Sequence, residues 1–150
     1  LGTASADHLL MISDQGIRAL AQSDVIPTLL PSTAFSLRKP YAPARKMLDA
    51  GLPLALATDF NPGSCPTANL ALTMSIACLY MAMTPEEVFH AVTINAAYAL
   101  DRQDRIGSIE VGKQADLVVF DVDNYKKIPY FFGVNLVETV IKRGKVVSWE

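Results

Sequence analysis

Residues 52–59 read LPLALATD, an apolar run with no alternation of polar and apolar positions. Such a run is typical of a β-strand that is buried on both faces, as in parallel sheets covered by helices. The run ends at Asp59 and is followed by the turn Phe60-Asn61-Pro62-Gly63-Ser64. Because barrel enzymes carry functional residues at the carboxyl ends of their strands, Asp59 is a candidate catalytic carboxylate. A role in supporting the turn is equally compatible with the sequence, since Asp and Asn are common before Pro-Gly.

Strands and helices alternate through the first part of the chain. The pattern predicts a strand at residues 3–8, a helix at 13–23 with Ser13 as its N-cap, a strand at 25–30, a loop at 31–40, a helix at 42–50 stopped by Gly51, and the Asp59 strand. This βαβαβ order indicates an α/β fold. Prolines inside two of the strands count against central positions, since proline donates no hydrogen bond to a sheet.

The second part of the chain changes in character. Residues 68–83 predict a buried helix, and Thr84-Pro85-Glu86-Glu87 is a capping box that opens a helix running to about Leu100. Short strands are expected at residues 109–110, 115–121, 137–142 and 146–149, the last two joined by a hairpin turn at Gly144. The change falls near residues 105–113. We therefore expect two units, residues 1–104 and residues 105–150.

Composition excludes several classes of function. The 150 residues are 51% hydrophobic and carry a net charge of −2, without a basic cluster that would bind nucleic acid. The sequence shows neither a signal peptide nor an apolar segment suited to a membrane, and a cytoplasmic protein is expected. Cys65 and Cys78 are the only cysteines, so two free thiols are expected rather than a disulfide framework.

Five motifs resemble one group of enzymes. Residues 107–121, GSIEVGKQADLVVFD, resemble the segment by which metal-dependent amidohydrolases return from their barrel to a small β-sandwich. The motifs SADHL (5–9), ATDFNPGS (57–64), MTPEE (83–87) and TINAA (93–97), in this order, resemble the imidazolonepropionase family. The resemblance covers essentially the whole chain. It implies the C-terminal part of a (β/α)8 TIM-like barrel, with about its last three strands, followed by strands of a small β-sandwich domain.

The resemblance also implies roles for matching residues. Asp59 would be a metal ligand and would take a proton from the attacking water, and His8 would polarise the substrate carbonyl. Asn61, Gly63 and Ser64 would contact the substrate or product, with Gly63 letting the backbone approach it. One Zn or Fe ion would activate water for opening the ring of 4-imidazolone-5-propanoate to N-formimidoyl-L-glutamate.

The chain departs from the family pattern in its histidines. The family binds its metal mainly through a His-x-His pair and a further histidine, but His8 and His90 are the only histidines here. Since zinc sites of this kind use about three protein ligands, Asp59 cannot hold the metal by itself. We therefore expect a C-terminal portion of the enzyme that is inactive alone. Sheet edges left open by missing strands would be prone to association, and a homodimer is one assembly that would cover them.

Two alternatives stay open. The chain could come from another amidohydrolase, a deaminase or a cyclic-amide hydrolase, or it could be a non-catalytic truncated remnant. His90 is expected at the surface or packed rather than as a ligand. Met74, Met81 and Met83 are expected in the core, and Tyr80, Tyr98, Phe131 and Phe132 are expected to pack. Asn95 is expected either to bond the end of a neighbouring strand or to lie on a helix surface.

Overall fold

A computed structural model describes residues 2–147 of the chain. Its first sheet is parallel, with the strand order β1 (Ser5–Asp7), β2 (Ile26–Leu29) and β3 (Ala55–Leu56). The sheet confirms the βαβαβ order. The third strand is much shorter than the apolar run that predicted it, although the amide of Ala57 still donates to the carbonyl of Leu29 at 3.2 Å.

Pro27 lies in the central strand of this sheet, where proline is normally avoided. The amide of Ile26 donates to β1, at the carbonyl of Ala4. Because successive amides alternate in direction, position 27 faces the β3 side. Pairing with β3 begins only at Thr28, so the missing N–H breaks no bond of the sheet.

Helices connect the strands. They are α1 (Asp14–Leu20), α2 (Pro31–Ser36) and α3 (Ala44–Asp49). The predicted N-cap is confirmed, since the Ser13 hydroxyl accepts from the Gly16 amide at 3.1 Å. The prediction of a loop at residues 31–40 was wrong over its first half, which forms α2. Proline at the first helical position, which favours a helix start, occurs there as Pro31.

Three further helices follow: α4 (Leu70–Tyr80), α5 (Pro85–Ala91) and α6 (Ile94–Ala99). The capping box of Thr84 and Glu87 is present. The single helix expected from Thr84 to Leu100 is broken before α6. Gly107 approaches this break so closely that an added Cβ would lie 2.7 Å from the Cβ of Ala97. Tertiary packing therefore redirects α6 across the sheet, where it contacts β2 and β3.

The core lies between the parallel sheet and its helices. Leu29, Leu54 and Leu56 face it from the strands, and Met47 and Val88 face it from α3 and α5. Met74, Met81 and Met83 are buried as predicted. The expectation that four aromatic residues pack was wrong in part, because they are 41–67% exposed: Tyr80, Tyr98, Phe131 and Phe132. Tyr80 nevertheless stacks on Tyr41 at 5.2 Å between ring centroids.

The second sheet is antiparallel. It consists of β4 (Leu117–Phe120), β5 (Val137–Lys142) and β6 (Lys145–Val147), with α7 (Lys127–Tyr130) between β4 and β5. The hairpin at Gly144 is confirmed, and residues 148–149 of the predicted last strand lie outside the described residues. The prediction of a strand at residues 109–110 was wrong. This segment lies in a turn region, and Ile109 is 87% exposed.

Asp116 ties the hairpin to the start of β4. Its carboxylate accepts hydrogen bonds from Lys142 Nζ at 2.5 Å and from the Arg143 amide at 2.8 Å. The Lys142 bond, followed by the Arg143 amide, lowers the pKa of Asp116 to about 2. The contribution of Asp116 to stability is thus present above its ordinary value of 3.8 and is lost as the pH falls towards 2.

Within residues 2–147, every helix is too short or too polar to cross a bilayer.

Replacing Leu29 by alanine should destabilise the chain by about 2–5 kcal/mol, because this fully buried side chain would leave a cavity under β2. The matched control is Leu79→Ala on α4, where the side chain is 69% exposed and the loss should stay within about 0.5 kcal/mol. Urea unfolding followed by circular dichroism measures both. Equal losses in the two variants would show that Leu29 is not in the core.

Candidate active site

His8 and Asp59 meet at one edge of the parallel sheet. His8 follows β1 and Asp59 lies three residues after β3, so the carboxyl ends of two parallel strands supply them. The His8 amide extends the sheet by donating to the Thr28 carbonyl at 3.0 Å. His8 Nε2 lies 4.0 Å from Asp59 Oδ2, and the two side chains are 48% and 28% exposed. The two residues that the sequence proposed as a catalytic pair are therefore neighbours with access to solvent.

Both residues adopt a left-handed backbone conformation, with φ of 67° at His8 and 55° at Asp59. This conformation costs an ordinary residue roughly 1–2 kcal/mol. Other non-glycine residues with positive φ have routine causes: Arg38, Ala82 and Asp101 follow helix C-termini, and Arg143 lies in the hairpin turn. His8, Leu9 and Asp59 instead follow strands. Backbone strain of this kind clusters at functional sites.

The loop after Asp59 is organised by the amide of Asn61. Its Nδ2 donates to the Asp59 carbonyl at 2.7 Å and to Ser64 Oγ at 2.9 Å. Its Oδ1 accepts from the amides of Gly63 at 2.9 Å and Ser64 at 2.8 Å. The side chain thereby uses both donors and both lone pairs of its oxygen. Asn61 shapes the loop in this structure, and Gly63 is exposed beside it.

Thr33 is a residue of this site that the sequence reasoning missed. Its Oγ1 donates to Asp59 Oδ2 at 2.6 Å, from the first turn of α2. The oversight follows from the prediction of a loop at residues 31–40. The signal that could have revealed it is Pro31, which starts a helix directly at the carboxyl end of β2.

An open cavity of about 320 Å³ adjoins Asp59. Asp7, Thr28 and Ala57 line it from the strands, and Ala96 and Leu100 line it from the α6 side. Asn95 fixes α6 against the sheet, because its Nδ2 donates to the Leu54 carbonyl at 2.8 Å. This confirms the first of the two roles expected for Asn95. The cavity could admit a small molecule that reaches Asp59.

A metal ion would find only part of a ligand set in the described residues. No group of three or more His, Cys, Asp or Glu side chains within residues 2–147 could hold one. His90 is exposed on α5, and Cys65 and Cys78 are free thiols as expected. Burial raises the pKa of the Cys78 thiol to about 11, which disfavours the thiolate that binds metals. Asp59 fits a ligand role, since among the described residues its Oδ1 accepts no hydrogen bond.

The chain is similar to known proteins over nearly its full length. A model of the amidohydrolase family matches residues 4–147. Proteins named imidazolonepropionase are 60% identical in Alkaliphilus oremlandii over 98% of this chain, 56% in Fusobacterium nucleatum over 98%, and 59% in Geobacillus kaustophilus over 98%. The chain spans only about a third of the length of these curated relatives, 35–36%.

Solved structures share the fold. An adenosine deaminase from Xanthomonas campestris with bound zinc superposes with a TM-score of 0.87 at 27% identity, over 95% of this chain and 36% of that chain. The guanine deaminase of E. coli superposes with a TM-score of 0.80 at 18% identity, over 96% of this chain and 38% of that chain. At 18% identity the second likeness shows the fold alone.

Replacing Asn61 by alanine should loosen the loop. The amides of Gly63 and Ser64 would each lose a bond worth about 1 kcal/mol, so their hydrogen exchange should accelerate about fivefold. Hydrogen exchange read by NMR measures this. The matched control is Asn124→Ala, which removes a similar bond to the Lys126 amide in another turn. Unchanged exchange at Gly63 and Ser64 would contradict the role given to Asn61.

Proposed function

The chain belongs to the amidohydrolase family, and on that premise we propose that it is part of an enzyme that hydrolyses 4-imidazolone-5-propanoate to N-formimidoyl-L-glutamate in histidine degradation. The observation that carries this proposal is the 56–60% identity to imidazolonepropionases over 98% of the chain. The pairing of His8 and Asp59 at the sheet edge supports it, because both match residues for which the resemblance implied catalytic roles.

We propose that residues 1–104 are the last part of a (β/α)8 barrel and that residues 105–150 supply strands of a small β-sandwich. The parallel sheet with its covering helices supports the first assignment, and the antiparallel sheet supports the second. In such barrels the functional residues lie at the carboxyl ends of the strands, which is where His8 and Asp59 are found. The rest of the barrel would supply the metal ligands that residues 2–147 lack, so the chain alone should be inactive.

In the proposed mechanism, Asp59 provides a carboxylate at the reacting centre. Its Oδ1 would ligate one zinc or iron ion, and the chemistry such an ion would supply is a lower pKa of water bound to it. The carboxylate would also take the proton released by the attacking water. Thr33 engages one lone pair of Oδ2, so Oδ1 is left for the metal ion and the second lone pair of Oδ2 can accept this proton.

His8 would act on the substrate carbonyl. Its imidazole is 48% exposed and lies 4.0 Å from the Asp59 carboxylate, so both groups can reach one ring. An N–H directed at the carbonyl oxygen stabilises the negative charge that develops as water adds to the carbon. Opening of the carbon–nitrogen bond would then yield the open-chain product, with the departing nitrogen taking up the proton that Asp59 accepted from the water.

Substrate binding would involve the loop of Asn61, Gly63 and Ser64. Because the Asn61 side chain is used within the loop, we propose that it holds the loop in shape and that Gly63 and Ser64 make the closer approach to the ligand. Gly63 has no side chain to stand between its exposed backbone and a ligand, and an added Cβ would meet only Asn61 Oδ1 within 4 Å, at 3.4 Å. The partner is thus a small molecule, and the proposed setting is the cytoplasm.

Replacing Asp59 by alanine in the full-length gene product should lower turnover of 4-imidazolone-5-propanoate by more than about 100-fold. Loss of a residue that only supports a metal ligand already costs about 10–100-fold, and Asp59 is proposed as the ligand itself. Steady-state kinetics and elemental analysis measure turnover and metal content. Asp24→Ala, an exposed aspartate before β2, is the control and should retain both. Normal turnover in Asp59→Ala would refute the assignment.

Replacing His8 by alanine should lower kcat by about 100-fold while metal content stays near one ion per chain, because the imidazole is proposed to act on substrate. His90→Ala on the exposed face of α5 serves as the control, with kcat unchanged. The same kinetics and elemental analysis apply. A large loss of metal in His8→Ala would instead identify His8 as a ligand.

A further inference from the structure

Within residues 2–147, the Asp59 carboxylate accepts one hydrogen bond, and its donor is a hydroxyl outside the loop that follows Asp59. Thr33 Oγ1 donates to Asp59 Oδ2 at 2.6 Å, and Thr33 is only 6% exposed. Hydrogen bonds from a hydroxyl to an ionised carboxylate are typically 2.5–2.7 Å long and about twice as strong as neutral ones. The short distance and the burial make this bond the principal protein contact of the Asp59 side chain.

The hydroxyl of Thr33 has no helical carbonyl to bond instead. Threonine inside a helix commonly donates to the carbonyl four residues earlier, as Thr93 does to Phe89 at 2.7 Å. Thr33 lies in the first turn of α2, and the carbonyl four residues earlier belongs to Leu29 in β2. That carbonyl already accepts the Ala57 amide. The Thr33 hydroxyl instead donates across to Asp59.

The helix that carries Thr33 is firmly held. Ser32 and Thr73 share a buried hydrogen bond of 2.7 Å that joins α2 to α4. Ser32 and Thr73 are 2% and 0% exposed, so water does not compete for this bond. Pro31 fixes the backbone at the start of the helix. The Thr33 hydroxyl thus has a position that does not depend on the loop after Asp59.

We propose that Thr33 is a positioning residue that fixes the rotamer of Asp59, so that Oδ2 is engaged by the protein and Oδ1 is directed to the reacting centre. The predicted effect on turnover rests on the proposed function. The predicted orientation of the Asp59 carboxylate does not, because it concerns only the side chains of Thr33 and Asp59. Asn61 constrains the backbone of Asp59 through its carbonyl, and Thr33 constrains its carboxylate.

The test uses Thr33→Val, which keeps the shape and removes the hydroxyl, and Thr33→Ser, which keeps the hydroxyl. Both are made in the full-length gene product. Thr33→Val should lower kcat and zinc affinity, measured by chelator competition, by about 10–100-fold each, with KM within about threefold. Thr33→Ser should restore both to within about threefold of the wild type. Thr93→Val removes a threonine hydroxyl away from Asp59 and should leave both unchanged.

Crystal structures of the wild type and Thr33→Val provide a readout that needs neither turnover nor metal. The Asp59 carboxylate should rotate in Thr33→Val, and an unchanged orientation would overturn the proposal. Equal impairment of Thr33→Ser and Thr33→Val would also overturn it, since packing of the methyl group would then be responsible. If Thr33→Val does not fold, Thr33→Ser decides the question. A tenfold loss of kcat or zinc affinity in that variant would overturn the proposal, because the variant keeps the hydroxyl. If the wild type does not hydrolyse 4-imidazolone-5-propanoate, the proposed function is refuted. The orientation of the Asp59 carboxylate in the two crystal structures still tests the role of Thr33.

Discussion

The register of three parallel strands is the constraint on which the site depends. Asp7 pairs with Thr28, and Thr28 pairs with Ala55, so the carboxyl ends of the strands reach the same edge. His8 and Asp59 follow these ends and meet there at 4.0 Å. A slip of one residue would turn every side chain of a strand to the opposite face. The positions of His8 and Asp59 at the edge thus depend on hydrogen bonds and packing in the rest of the sheet.

The packing that fixes this register comes from the helices that cover the parallel sheet. Leu29 and Leu54 are almost fully buried beneath them, at 0% and 1% exposure, so displacement of either strand would open the core. The same layer places α2 directly after β2, which brings Thr33 to the edge beside Asp59. One arrangement of core residues therefore determines both the strand that carries the carboxylate and the helix that orients it.

The sequence predicted the features that local chemistry determines. Apolar runs indicated β2 and β3, and side-chain caps located the starts of α1 and α5. It did not predict α2, whose N-terminus has no side-chain cap, nor the break before α6, against which the distant Gly107 packs closely. The pairing of His8 with Asp59 could be expected from strand ends alone. Thr33 was missed because its role depends on α2, and the loop prediction passed over Pro31 as the signal for the start of that helix.

The left-handed residues of the site show how its conformation is maintained. Each costs roughly 1–2 kcal/mol, and a typical hydrogen bond returns about 1 kcal/mol. At Asp59, bonds from Asn61 to the carbonyl and from Thr33 to the carboxylate together offset the strain. At His8, the amide is held by Thr28 in the sheet. Because these bonds form within the protein itself, they would hold the two side chains close to a reactive geometry, which lowers the cost of reaching it.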